Sequence, residues 1–175
     1  MKRGLTSFFC ILVIAFLPMT GPMGRAEELT DRQKLARIDD LYRTYKRSFP
    51  DVPDVTVNEL ISMKKERDVV LVDGRKRKEQ AVSMIPGAIS SREFERNIEH
   101  YRDKIIVVYC TIGSRSGHYT AGLIKKGFTA YNLKGSILAW THAGGELVNG
   151  EKETRRVHVY GRRWDLVPEG YEAVW

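Results

Sequence analysis

Two short apolar runs constrain this chain more than any other feature: Val69-Val70-Leu71-Val72, ended by Asp73-Gly74, and Ile105-Ile106-Val107-Val108-Tyr109, ended by Cys110. Neither alternates polar with apolar residues, so neither reads as a strand with one face in water. Continuous β-branched runs of this length are what strands covered on both faces of a parallel sheet look like. The segments around them have helical character. Strand and helix therefore alternate along the chain, which predicts an α/β fold with a mostly parallel sheet.

Residues 30–48 carry Leu35, Ile38, Leu41, Tyr42 and Tyr45 at helical spacing, with Thr30 or Asp31 as N-cap and Pro50 closing the segment. Residues 51–54, with Pro50 just before them and Pro53 among them, read as a linker. A short strand then leads into a helix in which Thr56 and Glu59 have capping-box spacing, with Asn58 as a competing cap. Helices are expected around Arg77–Ser83, Arg92–Tyr101, Ser116–Lys126 and residues 136–143, and a further strand at Thr129–Leu133. In the tail, Val157, Val159, Trp164 and Leu166 around Gly161 suggest a β-hairpin or edge ribbon.

Residues 1–26 have the layout of a secretory signal peptide: Met1-Lys2-Arg3, an apolar stretch from Leu5 to Leu17, and Gly24-Arg25-Ala26 at the cleavage position. An uncleaved membrane anchor is the alternative, but Pro18 and the following glycines cut the stretch short of the roughly 20 apolar residues a span needs. The mature protein is thus expected to be exported, to the periplasm or beyond. Loss of residues 1–26 removes three basic residues and no acid, lowering the net charge from +7 to +4. A mildly basic protein suits anionic small substrates or surfaces. It lacks the clustered basic and aromatic residues of a nucleic-acid binder, so no nucleic-acid partner is expected.

Cys10 leaves with the signal, and Cys110 remains as the only thiol. No internal disulfide can form, so a cysteine in an oxidising compartment must be either buried and inert or in use. Its surroundings favour use. In an open α/β sheet, ligands bind beyond the carboxyl ends of the strands, and Cys110 lies at that end of its run. The residues that follow, Thr111-Ile112-Gly113-Ser114-Arg115-Ser116, form a small permissive loop whose amides can curl toward one point. A helix beginning near Ser116 adds its positive end, and Arg115 adds a fixed charge. Such settings lower a cysteine pKa from about 8.5 to roughly 3.5–7.5, making the thiolate nucleophilic at neutral pH. The same donors would stabilise the terminal sulfur of a persulfide.

The run from Cys110 to Ser116 resembles the active-site loop of the rhodanese family, Cys-x-x-Gly-x-Arg-Ser in its common single-domain form. Three other motifs agree: Asp73-Gly74-Arg75 is similar to the family's Asp-x-Arg strand end, Ile85-Pro86-Gly87-Ala88 to its Ile-Pro-Gly-Ala segment, and Leu133-Lys134-Gly135-Ser136-Ile137-Leu138-Ala139-Trp140 to its Leu-x-Gly-Gly-Ile-x-Ala-Trp close. The resemblance spans residues 54–148. It divides the chain into a signal (1–26), an N-terminal helix and linker (27–53), a rhodanese-like domain (54–148) and a C-terminal extension (149–175).

The resemblance implies a five-stranded parallel sheet flanked by helices. Cys110 would accept sulfane sulfur from a small anionic donor such as thiosulfate and pass it to a thiol or to cyanide. Arg115 would bind the donor, and Thr111, Ile112, Gly113, Ser114 and Ser116 would line the pocket. Asp73 and Arg75 would support the loop, chiefly as an ion pair. Three departures stand out: Ser83-Met84 replaces the family's Gly-His, Gly74 a branched residue, and Ser136 the second glycine of the closing motif.

Two other readings compete. A phosphatase or arsenate reductase on the same scaffold would use a thiolate and an arginine, but such enzymes need a wider ring than the four residues separating Cys110 from Arg115. A non-catalytic binding module would have no need of intact Cys110, Gly113 and Arg115. Arg155, Arg156, Arg162 and Arg163 with Tyr160, Trp164 and Tyr171 could give the extension a docking face for a protein partner, unless the aromatics pack on the core. None of the four histidines has metal-ligand spacing with other donors, and no cofactor motif is present, so neither metal nor organic cofactor is expected.

Overall fold

The computed structural model describes residues 28–175, so the segment read from the sequence as a signal peptide lies outside the described residues. Helix α1 spans Asp31–Lys46, and Thr30 closes it with a capping box to Gln33. Strand β1 (Asp54–Val55) runs directly into α2 (Val57–Glu66), which Thr56 caps reciprocally with Glu59; Asn58 takes no part. The two apolar runs become β2 (Val69–Asp73) and β4 (Ile105–Tyr109), paired in parallel from Val69 opposite Ile105 to Asp73 opposite Tyr109.

Short α3 (Arg77–Gln80), β3 (Ile89–Ser90) and α4 (Ser91–Arg96) connect them. Helix α5 (Ser114–Lys125), β5 (Ala130–Leu133) and α6 (Ser136–His142) follow. The sheet has five strands in the order β1-β5-β4-β2-β3, and every pairing in it is parallel.

Alternation along β4 shows why its run has no polar residue. Val107 and Tyr109 enter one apolar cluster with Ile38 of α1, Leu60 of α2 and Ile137 and Leu138 of α6. Ile106 and Val108 enter a second on the opposite face with Phe94, Leu123 and Phe128. Each fully buried side chain of this kind stabilises the fold by about 1.5–3 kcal/mol. The two layers fix β4 from both sides and so fix the position of Cys110.

Several elements are shorter than their sequence patterns suggest. The helix expected at Arg77–Ser83 ends at Gln80, and the one expected to reach Tyr101 breaks at Asn97 and continues as a 3-10 turn, Ile98–Tyr101. The tail also differs. Its hairpin is formed by β6 (Leu147–Asn149) and β7 (Lys152–Thr154), turning at Gly150 rather than at Gly161. Strand β8 (Arg156–His158) pairs in parallel with β9 (Glu172–Val174), and the chain between them contains a 3-10 turn, Arg162–Trp164. The alternation read around Gly161 was that of core residues: Val157, Val159, Trp164, Leu166 and Val167 all join the cluster above β4.

Candidate active site

Strand β4 delivers Cys110 to the carboxyl edge of the sheet, where its side chain is 1% exposed at the base of a cleft of about 180 Å³. The chain turns at Gly113, whose φ of +110° caps the start of α5. A Cβ there would lie 2.4 Å from the Tyr42 ring, so only glycine fits. Tyr42 holds the turn from the far side: Asn132 Nδ2 donates both to the Tyr42 hydroxyl (2.9 Å) and to the Gly113 carbonyl (3.0 Å). The N-terminal helix thus buttresses the loop.

Three groups converge on the cysteine. The Gly113 amide donates to Sγ at 3.2 Å and the Ser116 hydroxyl at 3.4 Å, while the Cys110 amide donates to Ser136 Oγ at 3.0 Å. Burial raises the thiol pKa, but the Ser116 hydroxyl and amide, the Arg115 charge and the Gly113 amide outweigh it and hold Cys110 below the ordinary thiol value. The 12-residue α5 directs its positive end at the same place. The setting favours a thiolate, and the same donors would receive a second, anionic sulfur bonded to the first.

Ser136 has φ +51°, a left-handed conformation that a side chain rarely adopts. Its hydroxyl donates to the Leu133 carbonyl at 3.2 Å and lies 3.5 Å from Ser116 Oγ. The family's glycine has therefore been exchanged for a residue whose oxygen joins the network beneath the sulfur. Amides of Ile137 and Leu138 donate to the carbonyls of Cys110 and Thr111, tying the loop to the first turn of α6.

Arg115 does not point freely into the cleft. Its two terminal nitrogens donate to the two Glu79 carboxylate oxygens, each at 2.7 Å, and Nη2 also donates to Thr111 Oγ1 at 2.9 Å. Glu79 is fully buried. Burial raises its pKa, but Arg115 and the Lys76 amide more than offset this and keep it below the usual carboxylate range. The sequence hides Glu79: it ends the run Arg75-Lys76-Arg77-Lys78, which reads as a solvated helix face. That it is the one acid in a basic run was the available signal.

Of the expected site residues, Cys110, Gly113 and Ser116 meet at the sulfur. Ser114, Ile112, Thr111 and Arg115 line the cleft. Asp73 and Arg75 sit away from it as a fully buried pair, with Arg75 Nε and Nη2 on Asp73 and Nη2 also on the Ser83 carbonyl. The Tyr109 hydroxyl donates to Asp73 at 2.8 Å and accepts from the Ile85 amide at 3.1 Å. This network ties β2, β4 and the Ile85-Pro86-Gly87 turn together below the loop. Arg75 Nη1 and Ser83 Oγ are buried without a partner.

His118 lies on the exposed face of α5 against Phe49 and Ser48, away from the sulfur. His158 is buried, which lowers its pKa, and its Nδ1 accepts the Tyr160 amide at 3.1 Å.

Comparison with known proteins agrees with this architecture. The family model described as Rhodanese-like domain matches residues 56–143, half of the chain. A sulfurtransferase from Allochromatium vinosum is 38% identical over 88 residues, 48% of this chain and 82% of its own. A tRNA uridine(34) hydroxylase from Acinetobacter baylyi is 34% identical over 139 residues, 64% of this chain and 43% of its own. The chain thus spans less than half the length of that relative. Among solved structures, a thiosulfate sulfurtransferase from Pseudomonas aeruginosa shares the fold at a TM-score of 0.53 and 22% identity, covering 66% of this chain and 23% of the other.

Proposed function

The chain belongs to the rhodanese-like domain family, and from that premise we propose that it is a sulfurtransferase moving sulfane sulfur through a Cys110 persulfide. The observation that carries the reading is the convergence of the Gly113 amide and the Ser116 hydroxyl on a buried Cys110 sulfur. In the first half-reaction the thiolate attacks the outer sulfur of a thiosulfate-type donor. A new S–S bond forms on Cys110, the donor's S–S bond breaks, and sulfite leaves with its electron pair. In the second, a thiol or cyanide attacks the terminal sulfur, taking it as a persulfide or thiocyanate and returning the thiolate. Covalent catalysis of this kind divides one transfer into two easier steps around a single nucleophile. Thr111 and Arg115 line the site, and Asp73 and Arg75 brace the strand ends below the loop.

The names of both curated relatives support an enzyme. A phosphatase is less well supported, because only four residues separate Cys110 from Arg115, short for the ring a phosphoryl group needs. A second reading, tRNA modification, is favoured by the 139-residue match to the hydroxylase, which exceeds the 88 residues shared with the sulfurtransferase. Export directed by residues 1–26 is part of the proposal and is tested by N-terminal sequencing of the mature protein.

The function is tested by thiocyanate formation from thiosulfate and cyanide. Turnover that disappears in Cys110→Ser supports it. Turnover retained in that variant refutes it, and Cys110-dependent hydroxylation of tRNA uridine would favour the second reading instead.

A further inference from the structure

The cleft over Cys110 is walled by three aromatic side chains outside residues 56–143: Tyr45 of α1, and Tyr160 and Trp164 of the C-terminal extension. Tyr45 and Trp164 lie with ring centroids 6.1 Å apart, tilted by 37°. Tyr160 stands over Arg115, 5.4 Å from the guanidinium carbon to the ring centre, and is 54% exposed. Its backbone is left-handed, with φ +72°, and its amide is held by His158. A tyrosine in that conformation, facing water, is not explained by packing.

Charge points the same way. Arg115 is the only cationic side chain lining the cleft among the described residues, and Glu79 already engages both ends of its guanidinium. A thiolate at Cys110, Glu79 and Arg115 together leave one net negative charge. An inorganic dianion entering this cleft gives up its hydration without meeting a surplus cation. A donor with a single charge and a flat apolar body loses less hydration and gains contact with three rings.

We propose that the preferred sulfur donor is an organic thiosulfonate-type compound, a monoanion whose aromatic or similarly flat group is held by Tyr45, Tyr160 and Trp164, rather than thiosulfate. This rests on the persulfide reading of Cys110. The reaction balances as before: the thiolate takes the sulfane sulfur, the donor's S–S bond breaks, and a sulfinate leaves with the electron pair. Residues added to the family domain at both ends thus set specificity.

The experiment measures kcat/KM with cyanide as common acceptor and benzenethiosulfonate, methanethiosulfonate or thiosulfate as donor. The two thiosulfonates share charge and reacting group and differ in the ring. The expected order is benzenethiosulfonate above methanethiosulfonate above thiosulfate, with the first at least about tenfold over the last. Tyr160→Ala, at an exposed position, and Tyr45→Leu should each reduce the preference of benzene over methane by about three- to tenfold. Equal rates for the three donors, a preference for thiosulfate, or a ring preference untouched by both variants overturns the inference while leaving the persulfide cycle standing. Failure of all three donors to add sulfur to Cys110 overturns both.

Discussion

Glu79 and Arg115 form a two-pronged ion pair, with both contacts at 2.7 Å, in which the carboxylate is wholly buried and the guanidinium is one-third exposed. The pair joins α3 to the first turn of α5 and turns the cleft's one arginine toward the protein. It therefore sets how much positive charge reaches the Cys110 sulfur and an incoming anion.

Glu79→Gln keeps the shape of the side chain and removes its charge. Arg115 can turn to solvent, so the loss of stability is expected to be about 1–3 kcal/mol, less than for a pair buried at both ends. With Arg115 released, KM for thiosulfate should fall. Thermal melts and steady-state kinetics of the variant check both. Because the folded carboxylate has a lowered pKa, the pair's contribution is present above the unfolded value, about 4.3, and is lost as pH falls through the folded one. The stability gap between wild type and variant should therefore close in acid.

Alkylation of Cys110 by a small reagent such as iodoacetamide should rise with pH through a midpoint below the ordinary thiol value near 8.5. Ser116→Ala removes the hydroxyl donor to Sγ, and should move that midpoint upward. An identical profile in the variant would show that the hydroxyl does not stabilise the thiolate.

At Ser136 strain and function act in opposite directions. Ser136→Gly relieves the left-handed backbone but takes away the acceptor of the Cys110 amide, so its stability should stay within about 1 kcal/mol of wild type. Ser136→Ala keeps the strain and loses the hydrogen bonds, and should cost about 1–2 kcal/mol. Both should slow sulfur transfer. Denaturant unfolding of the two proteins side by side separates the contributions.

Asp73→Asn leaves the buried Arg75 uncompensated and weakens the anchor of Tyr109. A loss of about 3–5 kcal/mol is expected, seen as poor folding rather than as altered chemistry. Activity per folded molecule, with the folded fraction taken from circular dichroism, should change far less than the yield.

The sheet was legible in the sequence because its two central strands are covered on both faces, and such strands can be written only in continuous apolar residues. The sulfur cradle was legible because Cys110, Gly113 and Ser116 are neighbours in one loop, so that local geometry brings them together. Glu79 was not, since its role depends on α3 meeting α5 across the fold. Nor was the aromatic wall: Tyr45 belongs to the first helix and Tyr160 to the tail, more than 100 residues later, and only the folded chain joins them. Ser136 stood out as a departure from a motif, yet its contact with the Cys110 amide required the backbone turn at +51° to be seen. The tail's hairpin was displaced because alternating valines at Val157 and Val159 serve a parallel pair and a core equally well.

The most direct test is the intact mass of the protein after incubation with a sulfane donor and removal of the excess. The expected result is a gain of one sulfur atom, localised to Cys110 and lost on addition of cyanide. An unchanged mass, or the same gain in Cys110→Ser, contradicts the persulfide cycle.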